Sequence, residues 1–224
     1  MKKKSFKITE SWDVNAEEWI RLLERDGIAS RQFTNTTILE TVQSYNLNSI
    51  LDLGCGEGWL TRALSNNKNR VVGIDSTEVL LKNARLKGHQ NFYKMTYEEI
   101  IKGKEIPGTP FDAVILNFCL YQNEQVLALL QSIKKSLLKS GLVFIQTLHP
   151  SFLIQNNLHY KSQWIDDSWK GLKGDFVYPH SWYARTLEDW INTFNESNFA
   201  LLGIKEPINV EGIPLSILFT LRNE

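Results

Sequence analysis

The 224-residue sequence predicts a doubly wound α/β protein, and three observations predict it. Apolar runs recur as SILDL (49–53), RVVGI (70–74), NFYKM (91–95), DAVIL (112–116) and LVFIQTL (142–148), without the polar alternation of a half-exposed strand. Such runs suit parallel strands covered on both faces. Helix-like stretches near 58–66, 77–87, 96–102 and 124–139 separate them, which gives the strand–helix–strand rhythm of a parallel sheet. A glycine-rich turn, Gly54-Cys55-Gly56-Glu57-Gly58, follows the first run, close to the switch point where these sheets bind ligands.

The segments before the first strand read as helices. Asp13 or Asn15 can cap AEEWIRLLERDG, with Trp19, Leu22 and Leu23 on one face and Gly27 as the stop. Ser30 can cap RQFTNTTILETVQSY, whose apolar stripe is expected at Phe33, Thr37, Ile38 and Val42. Ser76 and Asn123 are placed as caps of later helices. From 149 to 186 the rhythm stops; the stretch holds eight aromatics and three of the four histidines, and it reads as a lid or binding element. Thr186 and Asp189 have capping-box spacing before LEDWINTFNES, and FALLGIKE (199–206) with PLSILFTL (214–221) close the chain as an antiparallel pair turning near Glu211-Gly212. The expected organisation is one domain over 1–224: a helical cover (1–46), a ligand-binding core (47–148), a lid (149–186) and a closing helix and strands (187–224).

Composition narrows the function classes. Apolar residues make up 42% and charged residues 22%, an ordinary globular balance. Lys plus Arg and Asp plus Glu number 25 each, so no net field draws in nucleic acid or an anionic membrane, and neither partner is expected. Two cysteines, Cys55 and Cys119, are too few for a zinc cluster or a disulfide framework; no metal is expected, and a reducing cytoplasm suits them. No apolar run approaches the ~18 residues of a membrane span. Behind Lys2, Lys3 and Lys4, which read as a solvated tail, MKKKSFKITESWD has no apolar core, so neither a signal peptide nor an anchor is expected.

The glycine turn carries the chemistry. Glycines permit positive φ and close approach of a ligand to the backbone. The next strand ends in Gly73-Ile74-Asp75, about 20 residues on, where a carboxylate can accept the two hydroxyls of a ribose. A dinucleotide fingerprint would read G-x-G-x-x-G. Here the spacing is G-x-G-x-G, with Asp52 before it and Glu57 inside it. Two carboxylates repel a pyrophosphate and complement a sulfonium or an α-ammonium group, which favours S-adenosylmethionine over a nicotinamide cofactor.

With these residues in view, the sequence resembles the class I S-adenosylmethionine-dependent methyltransferases. The resemblance rests on Leu51-Asp52-Leu53-Gly54-Cys55-Gly56-Glu57-Gly58, Gly73-Ile74-Asp75, Phe111-Asp112-Ala113-Val114-Ile115-Leu116-Asn117-Phe118 and Leu138-Lys139-Ser140-Gly141-Leu142-Val143-Phe144, and it covers about 48–148. It implies a Rossmann-like methyltransferase fold: a seven-stranded, mostly parallel sheet with its last strand inserted antiparallel. It implies that Asp52, Gly54 and Gly56 approach the methionine part of the cofactor and Asp75 the ribose, with Cys55, Gly58 and Ser76 among the other cofactor-binding residues. The family often has an acidic residue after the third strand, against the adenine; this chain has Lys94-Met95-Thr96-Tyr97, so Met95 would pack on the adenine and Thr96 supply a polar contact, unless both simply belong to the core. Asn117-Phe118 would lie near the methyl group, without the proline run of base-N-methylating relatives; Asn117 as a strand-end cap is the alternative.

The cover and lid supply the remaining candidates. Arg31 can pair with the methionine carboxylate and Trp19 can shield the sulfonium, or Arg31 is exposed and Trp19 core. In-line methyl transfer needs a general base only for a protonated nucleophile. The candidates are His149 at the end of the fifth strand, and His180 and Tyr183 in the lid; structural histidines are the alternative. Trp164, Trp169 and Trp182 can line an apolar acceptor pocket, and Arg185 can bind an acceptor carboxylate. The reading is a methyltransferase acting on a small-molecule or carrier-linked acceptor. A nicotinamide oxidoreductase and a non-catalytic S-adenosylmethionine-binding regulator are the alternatives.

Overall fold

The chain enters through two helices, α1 (Lys4–Arg25) and α2 (Arg31–Gln43), in a computed structural model that describes residues 4–25, 27–66 and 69–224. The tail expected at Lys2 and Lys3 lies outside the described residues, and Lys4 already opens α1. Asp13 and Asn15 therefore sit inside a helix rather than capping one. No proline or glycine interrupts 4–25, and Ile8, Ser11, Asn15, Ala16 and Leu22 make a buried stripe along it. Ser30 stands at the N-cap of α2, but its side chain makes no capping bond. The buried stripe of α2 is Thr34, Ile38, Thr41 and Val42; Phe33 and Thr37, expected on it, are only half-buried, because Ile38 and Val42 set the face.

The core then alternates: β1 (Ser49–Leu53), α3 (Trp59–Leu64), β2 (Arg70–Asp75), α4 (Glu78–Lys87), β3 (Asn91–Lys94), α5 (Tyr97–Ile101), β4 (Phe111–Asn117), α6 (Gln125–Ile133) and β5 (Leu137–Leu148). Thr77 and Glu124, not Ser76 and Asn123, occupy the N-cap positions of α4 and α6. The helix expected to run to 139 ends at Ile133 because a 3₁₀ turn over Lys134–Ser136 leads straight into β5, where Leu137 pairs with Phe111.

Beyond β5 the lid holds more order than a loop: α7 (Phe152–Gln155) and a two-stranded ribbon of β6 (Gln163–Ile165) and β7 (Trp182–Ala184), with Trp164 opposite Tyr183. Helix α8 (Leu187–Glu196) starts at Thr186, whose hydroxyl accepts the Asp189 N–H. The reciprocal half of the capping box is absent: Ser162 Oγ accepts the Thr186 N–H and donates to Asp189. The chain closes with β8 (Phe199–Lys205) and β9 (Ser216–Asn223).

The main sheet runs β3-β2-β1-β4-β5-β9-β8. Strands β1 to β5 are parallel, and β9 inserts antiparallel between β5 and β8. Successive side chains point to opposite faces. Leu51, Leu53, Val114, Leu116, Val143 and Ile145 pack under α6 and α8, while Ile50, Val71, Ile115 and Phe144 pack under α2 and α3. Both faces being covered explains the unbroken apolar runs. The C-terminal ends of the parallel strands all open on one edge, and α1, α2 and the lid cover that edge.

Candidate active site

A cavity of about 320 Å³ opens at that edge, between the glycine turn, the ends of β2, β3 and β4, the helical cover and the lid. The turn folds around three left-handed glycines: Gly54 (φ 82°), Gly56 (φ 57°) and Gly58 (φ 79°). A Cβ on Gly54 would stand 2.5 Å from Cys119 Cβ, so that position admits no side chain. A Cβ on Gly56 would meet nothing within 4 Å and would project into open space. Packing thus accounts for the first glycine. At Gly56 the left-handed φ and the open space together make a cradle that a side chain would partly fill.

Two carboxylates flank this cradle. Asp52, 1% exposed, accepts from Thr61 Oγ1 at 2.6 Å. Burial pushes its carboxyl up to about 7; the Thr61 hydroxyl opposes that, and the nearby Asp75 adds to it. Asp75 accepts the Gly56 N–H and the Thr77 N–H, each at 2.8 Å, and so ties β2 to the turn and to the start of α4. Burial raises its pKa, and those amides hold it partly back. Each of its oxygens keeps acceptor capacity for a second donor. Glu57 is paired with Arg62 at 2.7 Å, so its charge is largely spent on α3.

Met95, 3% exposed, belongs to the main core cluster and also reaches the cavity wall. The Thr96 hydroxyl accepts the Glu99 N–H in a full capping box for α5, so it is engaged within the protein. Asn117 ends β4 with its Oδ1 buried and unpartnered. Phe118 follows at φ 51°, an uncommon conformation for a side chain of that size. Its N–H donates to Gln146 O at 2.8 Å, and its carbonyl accepts the Tyr121 hydroxyl. The cover contributes Arg31, whose guanidinium lies 5.2 Å from the centre of the Trp19 ring; burial lowers its pKa. Arg31 is therefore not exposed, and the ring expected to shield a ligand's cation already carries one from the protein.

Three comparisons bear on this arrangement. Residues 15–203 match the family described as Methyltransferase domain. The chain belongs to the class I S-adenosylmethionine-dependent methyltransferases. An uncharacterised methyltransferase of Schizosaccharomyces pombe is 41% identical over 100 residues, which cover 43% of this chain and 38% of that protein. A tRNA U34 carboxymethyltransferase of Alteromonas mediterranea is 30% identical over 109 residues, covering 45% and 32%. A 1,6-didemethyltoxoflavin-N1-methyltransferase of Burkholderia thailandensis, solved with its acceptor and S-adenosylhomocysteine, superposes with a TM-score of 0.67 at 16% identity, covering 98% of this chain and 88% of that one. The chain thus spans well under half the length of these two curated relatives.

Within this methyltransferase fold the sequence candidates fall into two groups. Asp52, Gly54, Cys55, Gly56, Asp75, Ser76, Met95, Thr96, Asn117, Phe118, Trp19, Arg31 and His180 come together at the one cavity. Gly58 stands just behind it as the N-cap of α3. Cys55 is buried, and burial raises its thiol pKa well above the ordinary range. His149 does not reach the cavity. Its Nδ1 accepts the Ser151 N–H at 3.0 Å, and its Nε2 lies 2.6 Å from Glu206 Oε1, so both nitrogens are engaged between the lid root and the closing hairpin. Tyr183 also lies outside, edge-on to Trp164 and under the Arg185 guanidinium. Arg185, expected to bind an acceptor carboxylate, also lies outside the cavity: it donates to the Gln122 and Asn123 carbonyls, its Nε stands 3.7 Å from Asp189 Oδ2, and the guanidinium sits between Tyr183 and Trp190.

Sequence reading missed Tyr97 and Tyr121, both at the cavity wall. Each follows shortly after a parallel strand, on the ligand-binding edge, and that position was the available signal. Among the described residues no group of three or more His, Cys, Asp or Glu side chains could hold a metal ion, and no helix is long and apolar enough to cross a membrane.

Proposed function

We propose that this chain catalyses methyl transfer from S-adenosylmethionine to a small-molecule or carrier-linked acceptor held under the lid. The observation that carries the reading is the cradle at Gly56 closed by Asp75 and backed by Asp52. That donor set fits an adenosyl sulfonium cofactor: acceptor oxygens for ribose hydroxyls, carboxylate charge for a cation, and buried carboxylates beside the turn that would repel a pyrophosphate. The last point weighs against a nicotinamide oxidoreductase.

When bound, S-adenosylmethionine supplies a methyl group already activated on sulfur. Asp75 and Ser76 would then hold the ribose, Met95 and Thr96 border the adenine, and Asp52 and Arg31 take the charged ends of the methionine part. Asn117 and Phe118 would border the reacting centre, with Gly54, Cys55 and Gly58 shaping the turn and Trp19 backing Arg31. The cover and lid would exclude water and align the acceptor, which alone is worth up to about 7–11 kcal/mol in well-oriented reactions. Of the three candidate bases, His180 is the one at the cavity, and we assign it the proton from the acceptor; that position also weighs against a purely regulatory binder.

Calorimetry with S-adenosylmethionine tests the reading. Wild-type protein is expected to bind, and Asp75→Ala to lose about 1.5–3 kcal/mol, roughly tenfold to a hundredfold in affinity. No binding by the wild type, or an unchanged affinity in the variant, would overturn it. An RNA acceptor is the second reading, favoured by the tRNA-acting relative and opposed by the zero net charge. It requires tRNA binding that weakens steeply between low and moderate salt.

A further inference from the structure

The cavity has two chemically different halves. Its charged residues, Asp52, Glu57, Asp75, Glu98 and Arg31, come from the turn, the adjoining strand end, α5 and α2. The other half is walled by Trp12 from α1, Tyr121 after β4, and Trp169, His180 and Trp182 from the lid, and it brings in no carboxylate, lysine or arginine. The rings interlock: Trp169 meets Trp12 edge-on at 4.8 Å and His180 at 5.4 Å, and Tyr121 meets His180 at 5.5 Å. A carboxylate or ammonium acceptor here would be desolvated, and the arginine bordering the cavity, Arg31, is assigned above to the methionine carboxylate. An ammonium would also face Arg31, already stacked on the neighbouring Trp19.

His180 is 2% exposed, and burial, which lowers its pKa to about 4, keeps the ring neutral; it is the titratable lid group at this wall. Its Nδ1 lies 2.9 Å from Ser168 Oγ, and its backbone carbonyl accepts the Ser168 N–H at 3.0 Å, which holds the pair in register. Its Nε2 has no partner. Buried polar atoms in native proteins nearly always have one, so the missing partner is looked for in the ligand.

We propose that the acceptor is an uncharged aromatic molecule carrying one transferable proton, on a ring hydroxyl or a ring N–H, and that His180 Nε2 receives that proton. The proposal rests on the methyl-transfer reading above. The acceptor's oxygen or nitrogen forms its bond to the methyl carbon as the carbon–sulfur bond breaks, with that bond's electron pair remaining on sulfur. The proton passes to Nε2, while Ser168 accepts from Nδ1–H and keeps the lone pair on the side of the acceptor. Ser168 is thus a positioning residue.

The test uses the full chain saturated with S-adenosylhomocysteine and follows tryptophan fluorescence on titration with catechol and benzimidazole, against benzoate and benzylamine. Product is then measured by mass spectrometry with S-adenosylmethionine. At least one neutral ring is expected to bind about tenfold or more tighter than either charged compound, and to be methylated. His180→Gln should leave that binding within about threefold and slow transfer about 10²–10⁴-fold. Should that variant not fold, Ser168→Ala must lower kcat with KM unchanged. Preference for a charged ring, no binding of either neutral ring, or wild-type turnover in His180→Gln would overturn the proposal. Calorimetry on the same sample separates the two readings: failure to bind S-adenosylhomocysteine overturns the methyltransferase reading itself, whereas bound S-adenosylhomocysteine with no preference for a neutral ring overturns only the acceptor class.

Discussion

Asp52 sits 1% exposed beside Asp75, and burial pushes its carboxyl up to about 7 from 3.8. A cationic cofactor favours the ionised form, so binding must expel a proton wherever Asp52 still holds one. Affinity for S-adenosylmethionine is expected to climb by up to about tenfold per pH unit below pH 7 and to level off above it. Calorimetry at pH 6 in two buffers of different ionisation enthalpy should count about one proton released, and Asp52→Asn should flatten the dependence. The unliganded chain runs the other way. Between about pH 4 and 7 the native carboxyl keeps a proton that the unfolded one has lost, so this group's contribution to stability falls as pH rises through that window. Single residues differ in how far their sequence exposes them. The turn and Asp75 were legible because their partners are local or lie one strand away. His149 and His180 could not be told apart from sequence: Glu206, 57 residues on, engages the first, while the lid's own fold buries the second.

Helix α1 is bound to the lid through polar groups on its buried face. Asn15 donates to the Val177 carbonyl and accepts the Val177 N–H, Glu18 accepts the Asp175 N–H, and Ser11 accepts from Trp169 Nε1. The Asp175 amide, with Arg21, holds the Glu18 carboxyl below its usual range. Removing the Asn15 pair costs about 1–3 kcal/mol by the usual worth of buried hydrogen bonds. Asn15→Ala is therefore expected to accelerate tryptic cleavage after Lys170 and Lys173, both exposed, by roughly tenfold or more, with sites in the sheet unaffected. Unchanged cleavage would mean the lid stands without α1. These contacts also explain why α1's start was misread. Asn15 looked like a cap because asparagine favours caps, but besides the Ser11 carbonyl one turn back its side chain pairs with Val177, 162 residues away and beyond any local pattern.

The cavity lies between core and cover, so a ligand bound there should stabilise both together. S-adenosylmethionine at about a hundred times its Kd is expected to raise unfolding stability by about 2.7 kcal/mol, read as a denaturant midpoint shift. A cofactor held by the core alone would leave cleavage at Lys170 unslowed. At this scale the sequence was most legible: β1, β2, β4 and β5 were readable because burial on both faces leaves continuous apolar runs, whereas the edge strand β3, in which only Phe92 is buried, was readable from its place in the strand–helix rhythm. The lid ribbon was not, since three-residue strands carry no period to detect. The tether of α1 grips mostly the lid's main chain at 175 and 177, not the side chains there, and Val177 is 56% exposed. Gly174 is the exception, because a Cβ would stand 2.6 Å from Glu18 Oε1. Point changes at Asp175 and Val177 therefore keep the latch shut, whereas Trp169 both lines the cavity and donates to Ser11, so a change there alters the pocket and its closure together.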